Sequence, residues 1–145
     1  MYRFAGPGLE VFLVHPGGPF WTKKDAGAWS IPKGEYGEAE EPLEAARREF
    51  QEETGFIPGT DFLELGTVKQ TGGKLVSAWA FQGDCDPQKL SSNQFQMEWP
   101  PRSGRVTSFP EVDRGAWFPI AAARCRILKS QEPFLDALVQ KLGSA

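Results

Sequence analysis

Residues 8–15 read Gly-Leu-Glu-Val-Phe-Leu-Val-His, an apolar run interrupted by Glu10. The pattern predicts a strand closed by the turn cluster Pro16-Gly17-Gly18-Pro19. Residues 20–34 hold Trp21, Lys23, Lys24, Trp29 and Ile31 without a period, and read as a loop ahead of Pro32-Lys33-Gly34. From 42 to 54 the period becomes helical. Leu43, Ala46 and Phe50 form one apolar stripe, Pro42 suits the first helical position and Gly55 the C-terminal cap. Residues 66–70 and 74–81 flank Thr71-Gly72-Gly73 and predict a hairpin. Residues 82–110, rich in Pro, Gly, Ser and Asn, read as a long loop region with room for one short strand, a length that often carries function. Ala116-Trp117-Phe118 reads as a short strand. Residues 132–142 form an amphipathic helix with Phe134, Leu135, Leu138 and Leu142 on one side. The expected class is α/β: one domain over residues 1–145, with a mixed β-sheet sandwiched between α-helices.

Composition supports a packed domain. At 145 residues, with 40% hydrophobic and 12% aromatic positions, the chain has the length and the apolar content for one core. No stretch approaches the roughly 18 apolar residues of a membrane span, and no charged start leads into a continuous apolar segment. Cys85 and Cys125 stand 40 positions apart without a CxxC, which fits reduced thiols and a cytoplasmic protein. Together with the lone His15 they are too few for a four-ligand zinc site of the Cys/His type. The net charge of −3 argues against a dedicated nucleic-acid binder.

The charge is unevenly spread. Eight of the 19 acidic residues and two basic ones, Arg47 and Arg48, fall within residues 35–53, leaving that segment at −6 and the remainder at +3. On a helix Glu49, Glu52 and Glu53 share one face, offset by roughly 100° from the apolar stripe, a placement that suits carboxylates at the edge of a cleft. Like charges at these spacings, in the last turn, oppose both each other and the helix dipole. A divalent cation would reverse both penalties, and all-oxygen ligands suit Mg²⁺ or Mn²⁺. A solvated acidic face is the other reading of such a helix.

The spacing around those acids is specific. Gly34, Glu40, Arg48-Glu49, Glu52-Glu53 and Gly55, with Phe50 and Phe56 at the bulky apolar positions, resemble the Nudix box, here residues 34–56. The family's pattern is G-x5-E-x7-R-E-U-x-E-E-x-G-U, where U is a bulky apolar residue. All seven fixed positions match, and aromatic rather than aliphatic U residues are a departure that touches packing more than chemistry. The resemblance to the Nudix (MutT-like) hydrolases implies the Nudix fold and Mg²⁺-dependent cleavage of a phosphoanhydride bond in a nucleoside diphosphate linked to a group X, with Mn²⁺ able to substitute. It implies metal binding by Glu49, Glu52 and Glu53, a glutamate-orienting role for Arg48, and a structural salt bridge from Glu40. Gly34 would serve the tight loop and Gly55 the left-handed cap. Glu49 is assigned as the general base, with Glu111 or Glu53 as alternatives.

The segment Trp29-Ser30-Ile31-Pro32-Lys33-Gly34 resembles the W-x-x-P-K-G form of dinucleoside polyphosphate hydrolases, which makes a dinucleoside polyphosphate the expected substrate. Lys33 is the expected phosphate contact, with a solvated loop lysine the alternative. Trp29 and Trp21 are candidates for base stacking or for core packing, and His15 for phosphate contact or a structural place. Glu111 stands six residues before Trp117, where those hydrolases carry a fourth metal carboxylate; Glu98, beside Trp99, is the second candidate. Arg102 and Arg105 are placed to close over phosphates, or to lie in solvent. Two departures weaken the substrate assignment. Only Met1-Tyr2-Arg3-Phe4 precedes the Gly6-Pro7-Gly8 turn, so a short edge strand is expected there. Gly72 also stands where ADP-ribose hydrolases have a proline, and no tyrosine follows the box. Hydrolysis of oxidised or ordinary nucleoside triphosphates or of ADP-ribose, and a catalytically idle nucleotide sensor, are the alternatives, with RNA decapping behind them. The expected partner is a small nucleotide, with no membrane and no nucleic acid, bound by a monomer or homodimer.

Overall fold

The structure is a computed structural model that describes residues 1–6, 8–33, 40–70 and 72–143. Its strands are β1 (Tyr2–Ala5), β2 (Gly8–Pro16), β3 (Leu63–Lys69), β4 (Leu75–Ala80), β5 (Gln94–Glu98), β6 (Val106–Pro110) and β7 (Val112–Pro119). Its α-helices are α1 (Pro42–Thr54), α2 (Ile120–Arg126) and α3 (Glu132–Lys141), and two 3₁₀ turns span Pro87–Lys89 and Lys129–Gln131.

The apolar residues 11–14 of β2 are explained by its central place. It pairs antiparallel with β1 on one side and β7 on the other. Val11 and Leu13 face one core with Tyr2, Trp29, Ala123, Ile127, Leu135 and Leu138, while Phe12 and Val14 face another with Val112, Phe56, Leu90 and Trp117. A strand buried on both faces needs no polar alternation. The β3–β4 hairpin continues past Ala80 to meet β1: Tyr2 N–H donates to Phe81 O at 3.0 Å and Gly83 N–H to Tyr2 O at 2.9 Å. That parallel bridge between Tyr2 and Gln82 makes the assembly mixed, as expected for the α/β class.

Helix α1 forms over the expected residues. Pro42 opens it, and Gly55 closes it at φ 77°, its N–H donating to Gln51 O at 2.8 Å. Ala45 and Phe50 are buried, and Phe50 meets Phe81 edge-on at 5.1 Å. No described helix is long and apolar enough to cross a membrane.

Two expectations are corrected, and one helix goes unforeseen. Residues 82–110 contain the β5–β6 hairpin and a 3₁₀ turn rather than one short strand. Gln-Phe-Gln-Met-Glu alternates with period two, but prolines, serines and asparagine around it dilute the signal. Strand β7 begins at Val112, not Ala116, because register with β2 carries Asp113, Arg114 and Gly115 into the sheet despite their poor strand propensity. Helix α2 is too short for its period to register in the sequence.

Candidate active site

The last turn of α1 presents Glu49, Glu52 and Glu53, and the surrounding structure treats them unequally. Arg48 lies along them. Its Nε and Nη2 reach Glu40 Oε2 and Oε1 at 2.8 and 2.9 Å, a fork-to-fork pair. Its Nη1 lies 2.9 Å from Glu49 Oε1 and 3.1 Å from Glu52 Oε2. Arg48 thus joins the start of the described box segment to its helical acids. Those hydrogen bonds, led by Glu40 and then Glu52, raise its own pKa further.

Glu53 is 7% exposed, and its Oε2 is buried without a hydrogen-bond partner. Burial first, then the charges of Glu49 and Glu111, push its pKa up to about 8. The Lys33 ammonium and a hydrogen bond from the Lys33 backbone N–H oppose that rise. Glu49 shifts upward too, mainly through burial, with Glu52 and Glu111 adding to it against Arg48. Of the two sequence candidates for a fourth carboxylate, the structure brings Glu111 to the helix acids. Glu98 sits at the β5–β6 hairpin and accepts from Arg102 N–H at 2.8 Å.

Among the described residues no three carboxylate, histidine or cysteine side chains are drawn into a closed ligand cluster. Arg48 Nη1 bridges Glu49 and Glu52 instead. The donor set nevertheless fits a hard divalent cation. An orphaned buried carboxylate oxygen with raised proton affinity, flanked by two more carboxylates, is a place where a cation would replace a proton.

Other expected site residues lie as follows. Lys33 is exposed and beside Glu53. Arg102 stands exposed in the β5–β6 turn at φ 62°. Gly34 lies outside the described residues. Trp29 and His15, expected as possible substrate contacts, are core residues here. Trp29 is 4% exposed, its Nε1–H donates to Asp25 Oδ1 at 2.7 Å, and it packs edge-on against Phe118 and His15. His15 is fully buried, with Nδ1 2.8 Å from Asp113 Oδ1 and Nε2 2.6 Å from Lys24 O. Both ring nitrogens are occupied, so no edge is left for phosphate. Trp29→Phe is expected to lower the melting temperature by a few degrees and to leave nucleotide KM unchanged; a raised KM without a stability loss would return Trp29 to the substrate site.

The sequence pattern missed an apolar cavity of about 580 Å³ between α1, the β3–β4 hairpin and α3. Ile31, Pro32 and Lys33 form one side, so it adjoins the residue next to Glu53. Phe62 and Phe81 line it, as does Arg47, whose Nε is buried without a partner and whose guanidinium stands 5.9 Å from the Phe62 ring. Its aromatics come from separate elements, and no local spacing announces them.

The NUDIX domain family model matches residues 4–141. Among solved structures the chain is similar to the NUDIX domain of Shewanella oneidensis NrtR complexed with ADP ribose: TM-score 0.62, 20% identity, covering 97% of this chain and 82% of that one. It is also similar to a C. elegans Ap4A hydrolase binary complex, with TM-score 0.61 and 19% identity over 99% of this chain and 93% of that one. A mutT/nudix family protein from Listeria innocua gives 0.58 and 16%, over 99% and 88%. No curated protein matches the chain. At such identities the structural likeness carries the fold, while the family model spans nearly the whole sequence. From that match, and from the acidic helix end that Arg48 organises, the chain belongs to the Nudix family of hydrolases, which act on phosphoanhydride bonds.

Proposed function

We propose that the chain is a Mg²⁺-dependent pyrophosphohydrolase that cleaves a nucleoside diphosphate linked to a second group, with a dinucleoside polyphosphate as its substrate and the cytoplasm as its place of work. The observation that carries this is Glu53, a buried carboxylate with an unpartnered oxygen, next to Glu49, Glu111 and Lys33. Glu49, Glu52, Glu53 and Glu111 would hold the cation, with Mn²⁺ a substitute of the same hard-ligand class. When bound, the ion supplies charge neutralisation for the phosphate chain and polarisation of the attacking water.

The remaining work falls to the chain's own side chains. Lys33 offers a point charge to the phosphates at the mouth of the cavity. Arg48 steers Glu49 and Glu52 through the contacts at 2.9 and 3.1 Å. Glu49, partly buried and with raised proton affinity, takes the proton as water attacks phosphorus in line. The cavity receives one base, its aromatic walls meeting the ring and Arg47 Nε offering a donor to a ring or carbonyl acceptor. A volume of about 580 Å³ suits such a ligand. The Trp29-to-Gly34 segment and the Glu111–Trp117 spacing favour a dinucleoside polyphosphate over the other nucleotides.

The test is a panel of dinucleoside polyphosphates, ADP-ribose, oxidised nucleoside triphosphates and diphosphoinositol polyphosphates, run with Mg²⁺ and with chelator in labelled water. Expected is Mg²⁺-dependent cleavage, fastest for a dinucleoside polyphosphate. Nucleotide binding without turnover of any member would instead make the chain a sensor. Ala78 lines the cavity and is buried. Ala78→Leu should raise KM about tenfold with little change in kcat. An unchanged KM with a higher melting temperature would reduce the cavity to a packing gap.

A further inference from the structure

We propose that Ser92 is a positioning residue that holds Glu111 against the C-terminal end of α1 and thereby sets the cation affinity of the site. This rests on the metal reading given above. Residues 91–93 run between the Pro87–Lys89 turn and β5, and they touch both halves of the carboxylate group. Toward the helix, Ser91 N–H donates to Thr54 O and Asn93 N–H to Glu52 O, each at 2.9 Å. These are carbonyls of the last turn, which a helix leaves without partners of its own. Toward the loop, Asn93 O accepts from Glu111 N–H at 2.8 Å. The Ser92 hydroxyl accepts from Val112 N–H at 3.1 Å and donates to Asn93 O at 3.0 Å.

The two peptide N–H groups on either side of the Glu111 α-carbon are therefore held by one dipeptide, itself hydrogen-bonded to the turn that carries Glu52 and Glu53. The Glu111 carbonyl is held as well, by Gly17 N–H at 2.9 Å. The strap lies close to the helix end. A Cβ on Gly55 would stand 2.9 Å from Ser91 O, so glycine at this box position serves the strap as well as the left-handed cap. In this backbone clamp the Ser92 hydroxyl is the side-chain component, and so the part that a substitution can remove. Val112 is 3% exposed, and without that hydroxyl its N–H loses the side-chain partner that fixes it beside Glu111. Groups that orient metal ligands from behind are commonly worth about 10–100-fold in metal affinity.

The experiment uses the full chain and Mn²⁺ alone, titrated with the free-ion EPR signal as readout, so that no substrate need be known. Ser92→Thr and Ser92→Val share a shape and differ by the hydroxyl; Ser92→Ala, Glu111→Gln and the Ser92→Ala/Glu111→Gln pair complete the set. Expected is a roughly tenfold loss of Mn²⁺ affinity in Ser92→Ala and Ser92→Val, with Ser92→Thr within about twofold of wild type. In the Glu111→Gln background Ser92→Ala should cost nothing more, because its effect passes through Glu111. Wild-type affinity in Ser92→Val, or an equal fold-loss in both backgrounds, overturns the proposal while leaving the metal site standing. Absence of Mn²⁺ binding by the wild type overturns both. Melting temperatures in chelator separate a general loosening of the fold, which would lower Ser92→Val and leave its Mn²⁺ affinity intact, from the specific effect.

Discussion

Glu53→Gln is expected to lower turnover by about 10²–10³-fold while making the metal-free protein more stable at alkaline pH. Both effects come from the same carboxylate. Its Oε2 is buried and unpartnered, and Glu49 and Glu111 add negative charge, so ionised Glu53 is costly to the fold until a cation arrives. Glutamine has the shape and hydrogen-bonding capacity of the protonated acid and never ionises. Near pH 5, where Glu53 is protonated in the fold, the variant and the wild type should melt at similar temperatures. Above pH 8 the variant should melt higher in chelator, and Mg²⁺ should raise the wild type more than the variant. Wild-type turnover in Glu53→Gln would remove Glu53 from the reaction, and a variant that melts lower than wild type at every pH would give it a purely structural place.

The second expectation concerns the metal-free protein, in which the stability of wild type relative to Glu53→Gln should fall as pH rises from about 4.5 to about 8. The Glu53 pKa rises from an ordinary 4.5 to about 8 in the fold. Between those values the folded chain keeps a proton that the unfolded chain has released. The stability linked to that proton is complete below the ordinary value and lost as pH rises through the folded one, with a slope approaching roughly 1 kcal/mol per pH unit. Glu49 is shifted the same way and adds to the trend. Asp25 and Asp84, held low by the Trp29 and Arg3 hydrogen bonds respectively, titrate below this window, whereas the Met1 ammonium, lowered by burial from 8.0 to about 5, has the opposite slope across it, so comparison with Glu53→Gln is what isolates the Glu53 contribution. A divalent cation takes the proton's place, so the gain in melting temperature on adding Mg²⁺ should grow with pH and level off beyond about 8. Thermal melts with chelator and with Mg²⁺ at half-unit pH steps measure this directly. A metal-induced gain that is constant from pH 5 to 8 would mean that the cation does not bind at Glu53.

The parts of the molecule that could be read in advance are those whose information is local. Helix α1 announces itself through a proline at its start, a glycine at its end and an apolar stripe between, all within 14 positions. The three acids beside that stripe follow from helical geometry alone. Strand β2 shows in the apolar residues 11–14, and the β3–β4 hairpin in its glycine turn. The β5–β6 hairpin and α2 were harder, one because its alternation is diluted by turn-forming neighbours, the other because seven residues hold too few turns to show a period.

Residues far apart in sequence had two open readings each, and long-range pairing chose between them. Trp29 and His15 could have faced substrate or core; contacts with Phe118, Asp25 and Asp113 place both inside. Glu111 and Glu98 were both plausible partners for the helix acids. The register of β7 on β2, the Gly17 contact and the Asn93 strap bring Glu111 to them. The cavity beside Lys33 and the Ser92 clamp carry no sequence signature, since their walls come from elements joined only by folding. The sequence by itself determined the family, the acidic helix face and the class of chemistry, because fixed spacing on one helix is enough to place those charges together. Tertiary structure alone decided which outside carboxylate lies beside them, which aromatics are core, and that a cavity opens next to Lys33, because each depends on contacts between segments that the chain's order leaves free.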